Sequence, residues 1–283
     1  MAKDSEMPLI AALDEVGTET QLSDGWTYAV LPADAVLQFE SLISGCRTKS
    51  FHGKKFKDSE RDDYRTFLRA MRTSLEAAPV GFLAFKLLSW SWRSDYDAFM
   101  ERLVEGGMLA AGVADQDAAK ICRHVFPALG ILQRLLGQNS NGLSNGSLKI
   151  EIDSDDMSAR LAQSKVQVRG REIPTGKLLT TAYNAYREKQ FPRSPTLPAG
   201  GICVMRDKKS RMIQMADVFG NFALAHLFVK LGDTSRKRRA KAELFRDVFG
   251  DILGTDEDVT SKCRLVGGND IECPDGECAL FIG

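Results

Sequence analysis

The sequence predicts an α/β fold, in which β-strands and α-helices alternate along the chain. Short apolar or β-prone runs recur through the 283 residues, and longer stretches with apolar residues at helical spacing lie between them. Hydrophobic residues make up 43% of the chain and charged residues 27%, which excludes a largely disordered protein. A chain of this length can bury a core that needs no disulfide or metal for stability.

Five segments have the pattern of β-strands. The first is wholly apolar, as in a strand buried on both faces, and it is close enough in sequence to the second to form an antiparallel pair with it. The fourth alternates apolar and polar residues, as in a half-buried strand. In chain order the predicted strands are Leu9–Leu13, Trp26–Leu31, Val80–Leu88, Leu148–Asp153 and Gly201–Arg206.

Seven segments have helical spacing of their apolar residues, and Pro32 opens the first of them. Between the fourth and fifth helices, Gln138–Gly146 has the composition of a linker, and the Gly- and Cys-rich tail after Gly254 allows a closing hairpin. The predicted helices are Ala33–Ile43, Glu60–Ala77, Asp95–Leu109, Asp115–Leu136, Pro174–Gln190, Arg211–Leu231 and Ser235–Leu253.

Charge and targeting signals indicate a cytoplasmic protein with no membrane association. The 38 Lys and Arg residues balance 38 Asp and Glu residues, which excludes a domain that coats polyanions by net charge alone. The N-terminal residues lack the apolar stretch of a signal peptide, and no uninterrupted apolar run approaches the roughly 20 residues of a membrane span. The six cysteines are expected to be reduced, and their spacing lacks the paired C-x2-C pattern of a zinc site.

Three acidic residues have an unusual context. Asp14 ends an apolar strand, Asp153 ends the alternating strand shortly before Asp155, and Asp217 lies inside a mostly apolar helix. Gln214, Asp217 and Asn221 fall on one narrow polar stripe of that helix. A carboxylate buried there needs an Arg, a Lys, a proton or a cation as its partner. A core salt bridge or an N-cap explains such an Asp equally well, whereas three converging carboxylates suit a hard divalent cation.

Two basic segments can contact phosphate. His52 is followed by Gly53, Lys54 and Lys55, and such a His can be a surface residue, a phosphate contact or an acid or base near pH 7. The run Arg236, Lys237, Arg238 and Arg239, with Lys241 beyond it, has the pattern of a solvated helix face or of a nucleic-acid-binding patch. The sequence contains no P-loop or Rossmann motif at a strand–helix junction and no G-x-S-x-G motif.

In order, three patches resemble an uncharacterised, mainly bacterial family, catalogued as domain of unknown function 3800, whose members are similar to ribonuclease H. The first is Leu13-Asp14-Glu15-Val16-Gly17, and the second is Phe51-His52-Gly53-Lys54-Lys55-Phe56. The third pairs a strand and turn, Val204–Ser210, with the helix segment Ile213–Phe219. Val16 departs from the pattern, because the family usually has Ser at that position.

The resemblance implies a ribonuclease H-like mixed sheet flanked by helices. The resemblance spans roughly residues 8–231 through these short patches. We therefore expect one domain over residues 1–231, with inserted helices around 94–137, and a C-terminal extension over residues 232–283. It also implies a metal-dependent nuclease, in which Asp14, Asp153 and Asp217 hold Mg²⁺ or Mn²⁺ for two-metal hydrolysis of DNA or RNA.

The remaining candidate residues have supporting roles under this interpretation. Glu15 or Glu60 is a candidate fourth ligand, His52 would assist proton transfer, and Lys54 would hold a phosphate. Lys55 and residues 236–239 would bind nucleic acid, with Gln214 and Asn221 supporting Asp217. The alternative is a non-catalytic interaction subunit that docks a protein or nucleic acid within a larger bacterial complex, including a defence complex.

Overall fold

The computed structural model describes residues 8–17, 23–78, 80–89, 128–138, 147–153, 165–168, 171–190, 192, 194–253, 264–266, 270–273 and 277–283. The chain forms two compact units. Unit 1 comprises Met1–Ala11 and Arg93–Lys209, and unit 2 comprises Ala12–Trp92 and Ser210–Gly283.

Strands and helices alternate, as expected for an α/β protein. The strands are β1 (Leu9–Gly17), β2 (Ser23–Pro32), β3 (Phe82–Ser89), β4 (Leu148–Asp153), β5 (Lys165–Val168), β6 (Arg171–Pro174), β7 (Ile202–Met205), β8 (Arg264–Val266), β9 (Asp270–Glu272) and β10 (Glu277–Ile282). The principal helices are α1 (Ala33–Leu42), α2 (Arg61–Glu76), α3 (Thr175–Gln190), α4 (Arg211–Lys230) and α5 (Arg236–Phe249), and residues 128–138 are also helical. Short 3₁₀ turns span Asp58–Glu60 and Asp207–Lys209.

The strand pairing is mixed, with both parallel and antiparallel neighbours. In unit 2, β3 pairs antiparallel with β2 and with β10, so that Lys86 lies opposite both Trp26 and Ala279. In unit 1, β4 and β7 are parallel, with Asp153 opposite Met205. Two further pairs, β5 with β6 and β8 with β9, are antiparallel hairpins.

Helix α4 is the central helix of unit 2. It begins after Ser210, whose hydroxyl accepts a hydrogen bond of 3.0 Å from the Ile213 N–H, as an N-cap residue does. Gly220 allows α4 to lie directly on the sheet, since a Cβ at this position would be 2.3 Å from Thr27 Cγ2 and 2.4 Å from Val16 Cγ2. This close contact of helix and sheet fixes the position of the polar side chains of α4.

Helix α4 is also long and apolar enough to cross a membrane, by length and composition. However, 83% of its most apolar window is buried inside the protein. Such burial is typical of a core helix.

Most predicted elements agree with the structure to within two residues at each end. There are three exceptions among the described elements: β1 ends four residues later than predicted, β2 begins three residues earlier, and α5 ends four residues earlier. The segment after residue 231, which the resemblance leaves outside the domain, contributes α5 and β10 to unit 2. The predicted helix Asp95–Leu109, the linker beyond residue 138 and the first part of Asp115–Leu136 lie outside the described residues.

Candidate functional site

A loop of unit 2 that contains His52, here called the His52 loop, packs against the polar stripe of α4. Gln214 is fully buried, and its Oε1 accepts a hydrogen bond of 3.2 Å from the Phe51 N–H. One turn further along α4, Asp217 Oδ2 accepts a hydrogen bond of 3.0 Å from the Gly53 N–H. The stripe therefore holds the backbone of the loop on both sides of His52.

Asp217 is held by its own helix as well. Asn221 Nδ2 donates to Asp217 Oδ1 over 2.7 Å and to the Asp217 carbonyl over 3.0 Å. The Asp217 side chain is 16% exposed, so the carboxylate is largely but not completely removed from water. Each carboxylate oxygen accepts one hydrogen bond and keeps a second lone pair for another partner.

His52 lies beside Asp217, and its ring has a partner at each nitrogen. Nδ1 is 3.8 Å from Asp217 Oδ2, and Nε2 is 3.1 Å from Ser50 Oγ. The His52 N–H donates to Tyr64 Oη, which in turn donates to the His52 carbonyl. Burial raises the pKa of Tyr64 to about 12, while its hydrogen bond to His52 acts in the opposite direction.

Gly53 makes this arrangement possible because it has no side chain. A Cβ at residue 53 would be 2.3 Å from Asn221 Cβ and 2.6 Å from the Asp217 carbonyl oxygen. Only glycine allows the loop to approach α4 closely enough for the Gly53 N–H to reach the Asp217 carboxylate.

The structure places Asp14 on the face of the sheet that α4 covers. Asp14 is half-buried on β1, and Thr27 Oγ1 donates to its carbonyl over 3.2 Å. Residues two apart share a face of a strand, and Val16 packs at Gly220 of α4. Asp14 therefore shares a face with Val16, whereas Glu15 lies on the opposite face.

The other predicted carboxylates lie on other elements than the His52 loop and α4. Asp153 is half-buried at the carboxyl end of β4 in unit 1, and Asp155 lies outside the described residues. Glu60 is a half-buried residue of the 3₁₀ turn before α2. The convergence of Asp153 with Asp14 and Asp217 stays a prediction.

Some of the predicted cations contact the His52 loop, and others are paired elsewhere. Lys54 and Lys55 are exposed, and Lys237 Nζ donates to the Lys54 carbonyl over 2.7 Å. Arg236, 95% exposed, has Asp58 at 3.9 Å. Arg239 is exposed as well.

Arg238 differs from its neighbours in the run. Its guanidinium pairs with Asp233 and lies 3.9 Å from the centroid of the Phe228 ring. Asp233 lies just before the basic run and neutralises part of its positive charge.

Lys241, which the sequence pattern groups with the basic run, is buried in the structure. It is only 7% exposed, and its Nζ lies 5.8 Å from the centroid of the Phe222 ring. Burial lowers the pKa of Lys241 to about 8, the charge of Lys237 acts in the same direction, and that of Asp217 opposes it. A signal existed: Leu244, Phe245 and Val248 follow at helical spacing and define a buried face that includes Lys241.

The donor chemistry of Asp14 and Asp217 fits a hard cation such as Mg²⁺, because both are carboxylates and each Asp217 oxygen keeps a second lone pair. Within the part of the chain that the structure describes, no group of three or more His, Cys, Asp or Glu residues is arranged to hold a metal ion. The Mg²⁺ or Mn²⁺ requirement therefore stays a prediction.

The sequence matches no protein-family model, and no curated protein is significantly similar to it.

Proposed function

We propose that the chain is a metal-dependent nuclease that hydrolyses phosphodiester bonds of DNA or RNA in the cytoplasm. One observation supports this function best: the Asp217 carboxylate lies beside the His52 imidazole, at a loop that presents Lys54 and Lys55 to solvent. A carboxylate, an imidazole and ammonium groups are what phosphodiester hydrolysis requires for metal binding, proton transfer and phosphate binding.

Each residue then has a distinct role. Asp217 and Asp14 would hold the divalent cation, with Asp153 as the further ligand suggested by the resemblance to ribonuclease H-like proteins. A bound Mg²⁺ or Mn²⁺ would lower the pKa of water and stabilise the leaving oxygen. His52, oriented by Asp217 and Ser50, would accept a proton from the attacking water or donate one to the leaving group. Lys54 and Lys55 would bind the phosphates that flank the scissile bond.

The test is cleavage of fluorescently labelled single- and double-stranded DNA and RNA with Mg²⁺, with Mn²⁺ and with EDTA. We expect cleavage of at least one substrate that requires the metal. Asp217→Asn keeps an acceptor for the Gly53 N–H but loses the charge, so it should abolish cleavage without unfolding the protein. His52→Gln should lower the rate about 10²–10⁴-fold, the usual contribution of a general acid or base.

Asp62→Asn is the matched control, because the Asp62 side chain is 94% exposed on α2 and pairs only with Arg65 among the described residues. Its rate should equal that of the wild type. Absence of cleavage of all four substrates with both metals would exclude the nuclease function. Full activity of Asp217→Asn would exclude Asp217 from the catalytic site.

The hydrogen bonds of Asp217 favour a second candidate, a non-catalytic interaction subunit. Both carboxylate oxygens already accept hydrogen bonds from Gly53 and Asn221, so holding the loop is by itself a sufficient role for Asp217. Under this alternative the chain binds nucleic acid or a partner protein without cleaving it. Calorimetry with Mg²⁺ and Mn²⁺ separates the two, since only the nuclease should show metal binding that both Asp14→Ala and Asp217→Ala remove.

A further inference from the structure

Lys241 places a cation at the end of a mostly buried side chain. Its side chain is more than nine-tenths buried on α5, and among the described residues its ammonium group has no hydrogen bond or ion pair. Lys241 Nζ lies over the Phe222 ring, 5.8 Å from its centroid. Among the described residues, Lys241 Nζ is not one of the side-chain atoms that are both fully buried and without a hydrogen-bond partner, so an ion in solvent can reach it. A cation at the end of such a buried side chain is stabilised by a bound anion.

The surroundings of Lys241 are mostly cationic. Lys237 is one helical turn earlier on the same face of α5, and its Nζ is fixed at the Lys54 carbonyl. The charges of Lys237, Arg238 and Lys54 act on Lys241 unfavourably, and the charge of Asp217 acts favourably. Arg238 is already paired with Asp233. Lys237 is thus held at the His52 loop by the Lys54 carbonyl, and the charges of both lysines reach Lys241.

The N-terminus of α5 adds to this positive potential. The helix has 14 residues and begins at Arg236, and the Ser235 side chain makes no capping hydrogen bond. The unpaired N–H groups of a first helical turn favour a nearby anion. The burial of Lys241, the nearby cations and the helix N-terminus all indicate an anionic ligand.

We propose that Lys241, Lys237 and Lys54 form a binding site for a phosphoryl group, in which the buried Lys241 is the principal anchor and the exposed arginines of the run are not. That the phosphoryl group belongs to a phosphodiester of nucleic acid rests on the proposed function. Binding of the phosphoryl group itself does not, because it requires neither metal nor cleavage. Burial lowers the pKa of Lys241 to about 8 in the absence of a ligand. A bound anion would favour the protonated form of Lys241.

The experiment measures binding to the whole chain in EDTA by isothermal titration calorimetry. Inorganic phosphate and short DNA and RNA oligonucleotides are the probes, with sodium chloride of matched ionic strength in every cell. We expect both probe types to bind the wild type, and Lys241→Met to weaken both at least tenfold. Tighter binding of the oligonucleotides would identify nucleic acid as the source, and equal affinity per phosphate would identify free phosphate.

Lys177→Met is the control, because Lys177 is an exposed residue of α3 in unit 1. Its affinities should lie within twofold of the wild type. Lys237→Met changes an exposed residue and tests the site without altering the core, and it should weaken both probes severalfold. Unchanged affinity in Lys241→Met, or in Lys237→Met should the first variant not fold, would overturn the proposal.

Thermal unfolding gives a second readout that a purely structural role would not produce. Lys241→Met removes a buried charge and keeps the side-chain volume, so its Tm without phosphate should equal or exceed that of the wild type. Phosphate should raise the Tm of the wild type but not that of the variant. Failure of nuclease activity together with these results would leave the phosphate site intact and exclude only the catalytic function.

Discussion

The buried polar residues of α4 and of α5, both in unit 2, differ in whether they have hydrogen-bond partners. On α4, Gln214, Asp217 and Asn221 all make hydrogen bonds with the His52 loop or with each other. On α5, Lys241 is as deeply buried but has no such partner among the described residues. The comparison suggests that the α4 stripe stabilises the fold as it stands, whereas the α5 residue is arranged for a ligand.

The largest expected effect tests how closely the loop must approach α4. Gly53→Ala should destabilise the protein by about 3 kcal/mol, the upper end of what overpacking usually costs, because the new methyl meets the backbone of α4. Urea denaturation measures the change. Gly45→Ala is the matched control, since a Cβ at Gly45 has nothing within 4 Å, and it should change stability by less than about 0.5 kcal/mol. Equal stabilities of the two variants would show that the loop does not rest on α4.

The second prediction concerns the buried amide of the stripe. Gln214→Leu leaves the Phe51 N–H without its acceptor and removes a partner of Arg211, so we expect a loss of about 2 kcal/mol. Gln38→Leu, at an exposed position of α1, should be close to neutral in the same urea experiment. A neutral Gln214→Leu would contradict a stabilising role for the α4 stripe.

The third prediction uses the hydrogen bonds between Tyr64 and the His52 backbone. Tyr64→Phe removes both, and it should cost about 1 kcal/mol at pH 8. The pKa of Tyr64 is raised to about 12, so the folded state favours the protonated phenol. The contribution of Tyr64 is therefore present below about pH 10, the usual tyrosine pKa, and is lost as the pH rises towards 12.

The measurement is urea denaturation of the wild type and Tyr64→Phe at pH 8 and pH 11. The difference in stability between the two proteins should shrink at the higher pH. The other buried tyrosines, Tyr28 and Tyr183, titrate in both proteins and so do not affect that difference. A difference that stays constant would show that the Tyr64 phenol is not preferentially protonated in the fold.

Local pattern is sufficient to predict most of the fold. The apolar run of β1, the alternation in β4 and the spacing in α4 are properties of neighbouring residues, so they can be identified from sequence. The position of β10 beside β3 cannot, because it depends on a pairing between Cys278 and Leu87, far apart in the chain. Such pairing is decided by tertiary packing.

The candidate site shows the same division. Helical periodicity predicts the polar stripe of Gln214, Asp217 and Asn221, but it does not predict what the stripe binds. Gly53 is 164 residues away from Asp217, and the reason for that glycine is its contact with the helix. Lys241 is easily grouped with the charged run before it, although its helical position places it on the buried face of α5.

The smallest expected effect concerns the exposed end of the same basic run. Arg236 is 95% exposed and its Asp58 partner is 3.9 Å away, so Arg236→Ala should change the free energy of unfolding by less than about 0.5 kcal/mol. The double variant Arg236→Ala/Arg239→Ala should weaken oligonucleotide binding equally for all sequences. It should also flatten the slope of log K against log salt by roughly 0.7–0.9 for each phosphate that the protein no longer neutralises, while Lys241→Met lowers binding even of inorganic phosphate. Fluorescence anisotropy at several salt concentrations measures the slope, in an Asp217→Asn background that prevents cleavage. If the double variant instead weakens binding of inorganic phosphate as strongly as Lys241→Met does, the distinction between buried anchor and exposed arginines on α5 is wrong.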